Sequence, residues 1–256
     1  MIRNKLESVK PKKHLGQHFL KDEGIASKMV DSLLNKSNEL VIEIGAGTGI
    51  LTKYLLPKHP NFLAFDLDKK SIAFLVSKYP DNAAQFIFQD YLHYNLENNA
   101  SIIGNFPYNI SSQLFFKIWD DRDQVKEVVC MIQKEVADRI CANHGKRTYG
   151  ILSVLLQAFY NTEYLFQVPP GVFHPPPKVQ SAVIRLIRNE VTKLSCDEQR
   201  FKQIVKAGFG KRRKTLRNAL KTLNLSALEN EEVLLSKRAE QLSVDDFVKL
   251  ASLASG

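Results

Sequence analysis

The sequence predicts an α/β protein with a mostly parallel, seven-stranded sheet covered by helices, followed by a small all-helical domain. Short apolar runs typical of buried strands alternate with amphipathic segments typical of helices, and the connections between them are short. After residue 188 only helical signals remain. We therefore expect two domains, residues 1–188 and 189–256, with residues 1–13 as a flexible basic arm.

The strands and helices of the first domain follow from these patterns. Strands are predicted at residues 40–44, 61–66, 85–88, 101–104, 127–132, 163–168 and 181–187. Helices are predicted at residues 23–34, from the glycine-rich turn to about residue 56, at 69–77 and at 152–159. Residues 169–178 are too many for a tight hairpin and too rich in proline for a helix, so they are predicted to form a loop.

Capping signals mark the helices of the second domain. Ser195 with Glu198 forms a capping-box pattern for a helix toward Ala207. A second helix is expected at residues 214–221. Ser243 with Asp246 predicts the start of a last helix over residues 244–253.

Composition excludes several classes of protein. The chain has 256 residues, of which 44% are apolar and 25% charged, as in soluble globular proteins. No apolar run reaches the roughly 18 residues of a membrane span, and the basic N-terminus lacks the apolar core of a secretory signal. The three cysteines form no C-x-x-C pair, so we expect a reducing, cytoplasmic environment and no zinc or other metal site.

The positive charge is unevenly distributed. The formal net charge is +9, and residues 201–221 contain eight basic and no acidic residues. The N-terminal arm carries one further arginine and several lysines, with a single acidic residue, Glu7. A solvated basic surface is the simpler interpretation, but two stretches of one sign favour binding to phosphates of a nucleic acid.

Glycines and carboxylates follow the first three predicted strands. Gly45, Gly47 and Gly49 join a strand to a helix, where glycine lets the backbone approach a ligand. The position of the third glycine in a dinucleotide-binding fingerprint is occupied by Ile50, so that fingerprint is not satisfied. Asp66 and Asp90 end the next two strands, where Asp66 could accept ribose hydroxyls. An ordinary turn remains the alternative for each feature alone, and Asp68 is best read as a helix N-cap.

The fourth strand ends in the corner Asn105-Phe106-Pro107-Tyr108. The Asn105 side chain and the Phe106 carbonyl can accept the two N–H bonds of an exocyclic amine, while Tyr108 can stack on the base. These residues are our candidates for catalysis. Ordinary turns also use Asn-x-Pro-aromatic strings, so the corner gains its weight from the glycine loop before it.

The chain resembles a known family through several longer strings. Glu43 with the glycine loop resembles motif I of class I S-adenosylmethionine-dependent methyltransferases. Together the strings resemble the KsgA family of rRNA adenine N6,N6-dimethyltransferases. They are Gln17-His18-Phe19-Leu20, Glu43 to Gly49, Asn105 to Ser111, Gln133 to Arg139, Tyr149-Gly150, Pro175 to Val179 and Phe209 to Lys214.

The resemblance implies a Rossmann-like methyltransferase domain that uses S-adenosylmethionine and has a helical RNA-binding domain attached. It implies methylation of two adjacent adenines in a loop of small-subunit (16S) rRNA, as free RNA or in a pre-30S particle, by a cytoplasmic monomer without a membrane partner. The cofactor would contact His18, Leu20, Gly45, Gly47, Asp66, Asp90 and Asn105. The rRNA phosphates would contact Lys211, Arg212, Arg213, Lys214 and Arg217.

The sequence departs mildly from the family pattern. Asp66 stands where many relatives carry glutamate, which predicts a longer or water-bridged contact with the ribose. Three other functions stay open at this point: dimethylation of large-subunit rRNA, ribosome assembly by RNA binding without catalysis, and methylation of DNA adenine.

Overall fold

The computed structural model describes residues 9–34, 39–223 and 231–254. The strands are β1 (Phe19–Leu20), β2 (Leu40–Ile44), β3 (Phe62–Asp66), β4 (Phe86–Phe88), β5 (Ala100–Asn105), β6 (Val125–Gln133), β7 (Tyr160–Val168), β8 (Phe173–His174) and β9 (Ser181–Arg188). The helices are α1 (Glu23–Asp31), α2 (Thr52–Leu55), α3 (Lys69–Lys78), α4 (Ser111–Asp120), α5 (Lys134–Ile140), α6 (Ile151–Gln157), α7 (Glu198–Gly210), α8 (Leu216–Ala219), α9 (Glu232–Leu235) and α10 (Val244–Leu253).

Seven strands form one sheet in the order β4-β3-β2-β5-β6-β9-β7. The pairs from β4 to β6 are parallel, and β9 runs antiparallel to β6. The predicted α/β class with a mostly parallel sheet is thus confirmed. The strand order reverses between β2 and β5, and an open α/β sheet binds ligands outside the carboxyl ends of its strands at such a point.

The middle of the sheet is closely packed. Ile42, Ile102 and Val128 of three neighbouring strands have no exposed surface, and each such side chain contributes about 1.5–3 kcal/mol through burial. The spacing of the strands also depends on a glycine, because a Cβ at Gly104 would lie 2.3 Å from the carbonyl oxygen of Ile44. Any larger residue would push β5 away from β2 just before Asn105.

A separate two-stranded sheet joins the N-terminal region to the proline-rich loop. β1 pairs antiparallel with β8, with Phe19 opposite His174 and Leu20 opposite Phe173. Lys21 N–H adds a hydrogen bond of 2.8 Å to the carbonyl of Val172. The pairing holds the residues before β1 in a defined place.

The described chain forms two compact units. The first comprises Met1–Ala137 and Glu163–Arg188, and the second comprises Asp138–Thr162 and Asn189–Gly256. The predicted division at residue 188 coincides with one boundary, but residues 138–162 belong to the second unit rather than the first. The reason is that α6 packs against α7 and α10. Within the described residues, no helix is both long and apolar enough to cross a membrane.

Two helix predictions need correction. α7 begins after Asp197, whose carboxylate accepts the N–H of Arg200 at 2.7 Å, so the capping box predicted at Ser195 is wrong. The helix predicted at residues 214–221 is the short α8, followed by a 3₁₀ turn. In addition, α4 and α9 have no counterpart among the predicted helices. The box predicted for α10 is confirmed, since Ser243 Oγ accepts the N–H of Asp246 at 3.1 Å.

Candidate active site

A cavity of about 790 Å³, partly open to solvent, lies at the carboxyl ends of the parallel strands in the first unit. Most of the predicted cofactor and catalytic residues line it: His18, Gly45, Gly47, Asp66, Asp90, Asn105, Phe106, Pro107 and Tyr108. The side chain of Leu20 does not, because it is buried in the core below β1 with 3% exposed.

The glycine loop holds the backbone against the sheet. Gly45 has a φ of 77°, in the left-handed region, and a Cβ there would lie 3.4 Å from the carbonyl oxygen of Asn105. The N–H groups of Gly45 and Ala46 donate to the carbonyl of Phe65 at 2.9 and 3.3 Å. The loop is therefore fixed to β3. Because Gly45 has no side chain, its backbone can lie close to the end of β5 at the edge of the cavity.

Asp66 is the carboxylate closest to the loop. Its Oδ2 accepts the N–H of Gly47 and its Oδ1 accepts the N–H of Asp68, both at 2.7 Å. Burial raises the pKa of Asp66, although these two hydrogen bonds oppose the rise. A carboxylate has about four lone-pair sites, so each oxygen keeps one for a hydroxyl of a ligand.

The two other strand-end aspartates have structural partners. Asp68 caps α3 by accepting the N–H of Lys70 at 2.9 Å, which confirms its interpretation as an N-cap. Asp90 accepts the N–H of Leu92 at 2.9 Å and so caps a 3₁₀ turn, yet it also lines the cavity. Its turn role and its predicted ligand role are compatible because one carboxylate can serve both.

Glu43 lies under the glycine loop and does not line the cavity. It is 1% exposed and accepts the hydroxyl of Thr52 at 2.6 Å. Burial raises the pKa of Glu43 to about 8, with the nearby charge of Asp66 adding to the rise. Glu43 is therefore mostly protonated at neutral pH and supports the loop through a neutral hydrogen bond.

The Asn105 side chain has a defined orientation. Its Nδ2 donates to the carbonyl of His18 at 2.8 Å. Since a carbonyl oxygen can only accept, the amide must present its NH₂ to His18, and Oδ1 keeps its acceptor capacity. In the turn that follows, Ile110 N–H bonds to the carbonyl of Pro107 and not to that of Phe106.

The hydroxyl and the ring of Tyr108 each have a contact that positions the side chain. Its hydroxyl hydrogen-bonds Ser181 Oγ, and its ring lies 5.3 Å from that of His18, with 30° between the ring planes. The His18 Nδ1 donates to the carbonyl of Pro175 at 2.8 Å. Burial raises the pKa of Tyr108, so the phenol stays neutral at physiological pH.

Residues 12–19, the cover segment, lie over the cavity and contribute Leu15 and Gln17 to its lining. Lys12 Nζ forms an ion pair of 2.7 Å with Asp68, whose side chain has no exposed surface. The Lys12 N–H also donates to Gln17 Oε1 at 2.8 Å. We expected a flexible arm up to residue 13; residues 1–8 lie outside the described chain, but Lys12 and Lys13 belong to the folded cover segment.

Some functional contacts had no signal in the sequence. The resemblance pointed to His18, but nothing indicated its partner Pro175 or the partner Ser181 of Tyr108, which lie 157 and 73 residues away along the chain. Lys12 was predicted only as one basic residue of the arm. The only sequence signal for the Lys12–Asp68 pair is that one partner lies in a basic N-terminal segment and the other is an acidic residue shortly after a strand.

The predicted RNA-binding residues lie in the second unit and differ in their partners. The guanidinium of Arg212 donates to the carbonyls of Arg147 and Tyr149, and that of Arg217 donates to the carboxylate of Glu232. Lys211, Arg213 and Lys214 are exposed. The five predicted residues are therefore not equivalent.

Comparison with known proteins agrees with this geometry. Residues 8–255 match the family model described as Ribosomal RNA adenine dimethylase. The chain is 53% identical to Ribosomal RNA small subunit methyltransferase A of Flavobacterium johnsoniae over 250 residues, covering 96% of each chain. It is 52% identical to the protein of the same name from Cytophaga hutchinsonii over 257 residues, covering 98% of this chain and all of that one.

Solved structures resemble the fold over most of its length. A dimethyladenosine transferase from Plasmodium falciparum is 29% identical, with a TM-score of 0.80 over 91% of this chain and 96% of that one. The 23S rRNA methyltransferase ErmE is 19% identical, with a TM-score of 0.68 over 91% of this chain and 99% of that one, and shows the shared fold. With the family match extending over almost every residue, the chain belongs to the ribosomal RNA adenine dimethylase family.

Proposed function

We propose that this protein transfers methyl groups from S-adenosylmethionine to the N6 amines of two adjacent adenines in a loop of small-subunit (16S) rRNA. The product is N6,N6-dimethyladenosine, and the role is in biogenesis of the small ribosomal subunit. The observation that carries the proposal is one cavity in which the glycine loop and Asp66 meet the Asn105–Tyr108 corner. Membership of the family makes the chain an S-adenosylmethionine-dependent rRNA adenine methyltransferase.

The residues of the cavity fit the cofactor. Asp66 offers free lone pairs beside the Gly47 N–H, as the two hydroxyls of a ribose require. Asp90 can accept the amino group of an adenine ring. When bound, the cofactor supplies an activated methyl group on a sulfonium, so the protein needs no covalent intermediate.

The chemical difficulty lies in the acceptor, because the lone pair of an adenine amine is delocalised into the ring. We expect Asn105 Oδ1 and the Phe106 carbonyl to accept its two N–H bonds, which would draw the nitrogen toward a tetrahedral shape and expose the lone pair. Holding Asn105 through the His18 carbonyl fixes this acceptor before the base arrives. We assign no general base: the product cation loses its proton to these acceptors or to water.

The target base must leave its stack to enter the cavity, which favours an unpaired loop of RNA. Tyr108 offers a stacking face that does not depend on whether the amine already carries one methyl group. That property suits a double methylation of the same base.

Substrate and location are part of the proposal. The names of the relatives support small-subunit rRNA, either free or in a pre-30S particle, as the substrate. Such a substrate places the protein in the cytoplasm, where we expect it to act as a monomer without a membrane partner.

The test uses labelled methyl donor with small subunits from cells that lack this modification. We expect two methyl groups on each of two neighbouring adenines, located by mapping the modified nucleotides. Large subunits and DNA, incubated in the same way, serve as controls. Label that enters only a large subunit or DNA would overturn the assigned substrate, and no label in any nucleic acid would overturn the activity.

A further inference from the structure

Two segments that are distant in sequence meet on one surface of the second unit. The guanidinium of Arg212 donates to the carbonyls of Arg147 and, at 3.2 Å, Tyr149. Both bonds come from Nη2, which can bridge two carbonyls because each terminal nitrogen of a guanidinium carries two N–H donors. The bridge attaches residues 143–148, which we call the basic loop, to the segment of residues 211–214.

Further contacts hold the basic loop and the residue that follows it. Within the loop, Gly145 N–H donates to the carbonyl of Glu240 at 2.6 Å. Directly after the loop, Tyr149 is 1% exposed, and its ring lies 6.0 Å from that of Phe209, which stacks on Phe247 at 5.9 Å. The conformation of the loop is therefore fixed by its contacts within the second unit.

Five exposed side chains on this surface are cations. Lys146 and Arg147 on the basic loop are exposed, as are Lys211, Arg213 and Lys214 beside the bridge. Within residues 9–34, 39–223 and 231–254, none of these five side chains has a hydrogen-bond or ion-pair partner of opposite charge. Cations of this kind are available to phosphates, and each phosphate contact releases bound counterions from the nucleic acid.

We propose that Lys146 and Arg147 bind rRNA phosphates together with Lys211, Arg213 and Lys214, and that Arg212 positions the basic loop instead of contacting RNA. The inference rests on the proposed function, because it takes rRNA as the polyanion. It changes the assignment of Arg212, whose Nη2 already donates to two of the protein's own carbonyls. It also adds two residues that the charge pattern along the chain did not single out.

The test measures binding of the full-length protein to undermethylated small subunits across a range of salt concentrations. Lys146→Ala and Arg147→Ala should each weaken binding about 3- to 10-fold and lower the slope of log K against log salt by roughly 1. Lys249→Ala is the matched control, since Lys249 lies in the same unit but is already paired with Glu231 at 2.9 Å. It should leave affinity and slope unchanged.

Arg212 is tested as a positioning residue by coupling. In an Arg212→Ala background, Arg147→Ala should have little further effect on affinity, and the amide of Gly145 should exchange its hydrogen faster. Arg213→Ala combined with Arg147→Ala should instead be additive, as for two independent phosphate contacts. Additivity of the Arg212 and Arg147 effects would overturn the positioning role.

Two further outcomes separate this inference from the proposed function. If wild type methylates small subunits but Lys146→Ala and Arg147→Ala bind them like wild type, the basic loop is not an RNA contact and the activity stands. If polyglutamate competes as well as RNA at equal charge, the surface is not an RNA site. In both cases the cofactor titration of wild type is unaffected and reports on the cavity alone.

Discussion

Asn105 shows how one hydrogen bond can orient a side-chain acceptor at the edge of a cavity. Its NH₂ is occupied by the His18 carbonyl, so its oxygen is the atom left for the substrate. The sequence identified the residue but could not say which end of the amide faces the cavity, because that depends on a carbonyl 87 residues away.

Asn105→Ala should lower single-turnover methyl transfer about 100-fold or more, since one preorganised hydrogen bond to the reacting group is lost. Rapid-quench assays with labelled donor measure the effect. A melting curve like that of wild type is the control for folding. A wild-type rate would contradict the role assigned to the amide.

Two substitutions of Tyr108 distinguish the contribution of its ring from that of its hydroxyl. Tyr108→Phe keeps the ring and loses only the bond to Ser181, so activity should fall by a few-fold at most. Tyr108→Ala removes the stacking face. The expected loss of about 1–3 kcal/mol corresponds to a decrease of roughly 5- to 150-fold in the RNA-dependent rate constant. Equal losses in the two variants would show that the hydroxyl, and not the ring, is what the reaction needs.

At the scale of elements, the ends of the strands define the site and the cover segment encloses it. β3 and β5 deliver Asp66 and Asn105 to one edge because parallel strands end together. The cover segment is held there by β1 pairing with β8 and by the Lys12–Asp68 pair. Burial alone would raise the pKa of Asp68, but the bonds from Lys12 and the Lys70 N–H outweigh it and lower the pKa.

Lys12→Met should weaken cofactor binding by about 10-fold. The substitution leaves the buried carboxylate of Asp68 without its cation and so loosens the cover segment over the cavity. Calorimetric titration with S-adenosylmethionine measures the change. Lys13→Met is the matched control, since Lys13 is the exposed basic neighbour. Similar affinities for the two variants would show that the ion pair does not hold the cover segment.

At the scale of the whole molecule, the ionisation of Glu43 should make the free energy of unfolding depend on pH. The pKa of Glu43 is about 8 in the fold against an ordinary value of 4.5. Between these values the folded chain keeps a proton that the unfolded chain has released. The free energy of unfolding of wild type should therefore fall as pH rises from about 4.5 to about 8.

Glu43→Gln cannot ionise and can still accept the Thr52 hydroxyl, so its stability relative to wild type should increase with pH. The gain between pH 5 and pH 8 should be of the order of 3 kcal/mol, measured by denaturant unfolding. Glu97→Gln, which changes an exposed carboxylate, should give a far smaller gain. Parallel curves for wild type and Glu43→Gln would contradict the protonated state.

The sequence by itself determined the fold class, the positions of the seven strands of the main sheet to within a few residues, and the residues of the glycine loop and the Asn105 corner. It did not predict β1 or β8, the second of which lies within the predicted loop at residues 169–178. The predicted features are local: a buried strand, a turn and a capping box are each written in consecutive residues, as the confirmed caps at Asp68 and Ser243 illustrate. Where local signals compete, prediction failed, as between Ser195 and Asp197 at the start of α7.

Only the tertiary structure decided which of the candidate residues line the same cavity and which support the others. In the structure Leu20 lies in the core, and the Arg212 guanidinium donates to a carbonyl of a loop distant in sequence. His18 donates to the carbonyl of Pro175. Such contacts join residues that are tens of positions apart, and their partners are backbone carbonyls that every residue carries. Sequence patterns hold no record of them, because they arise only when the strands and loops pack.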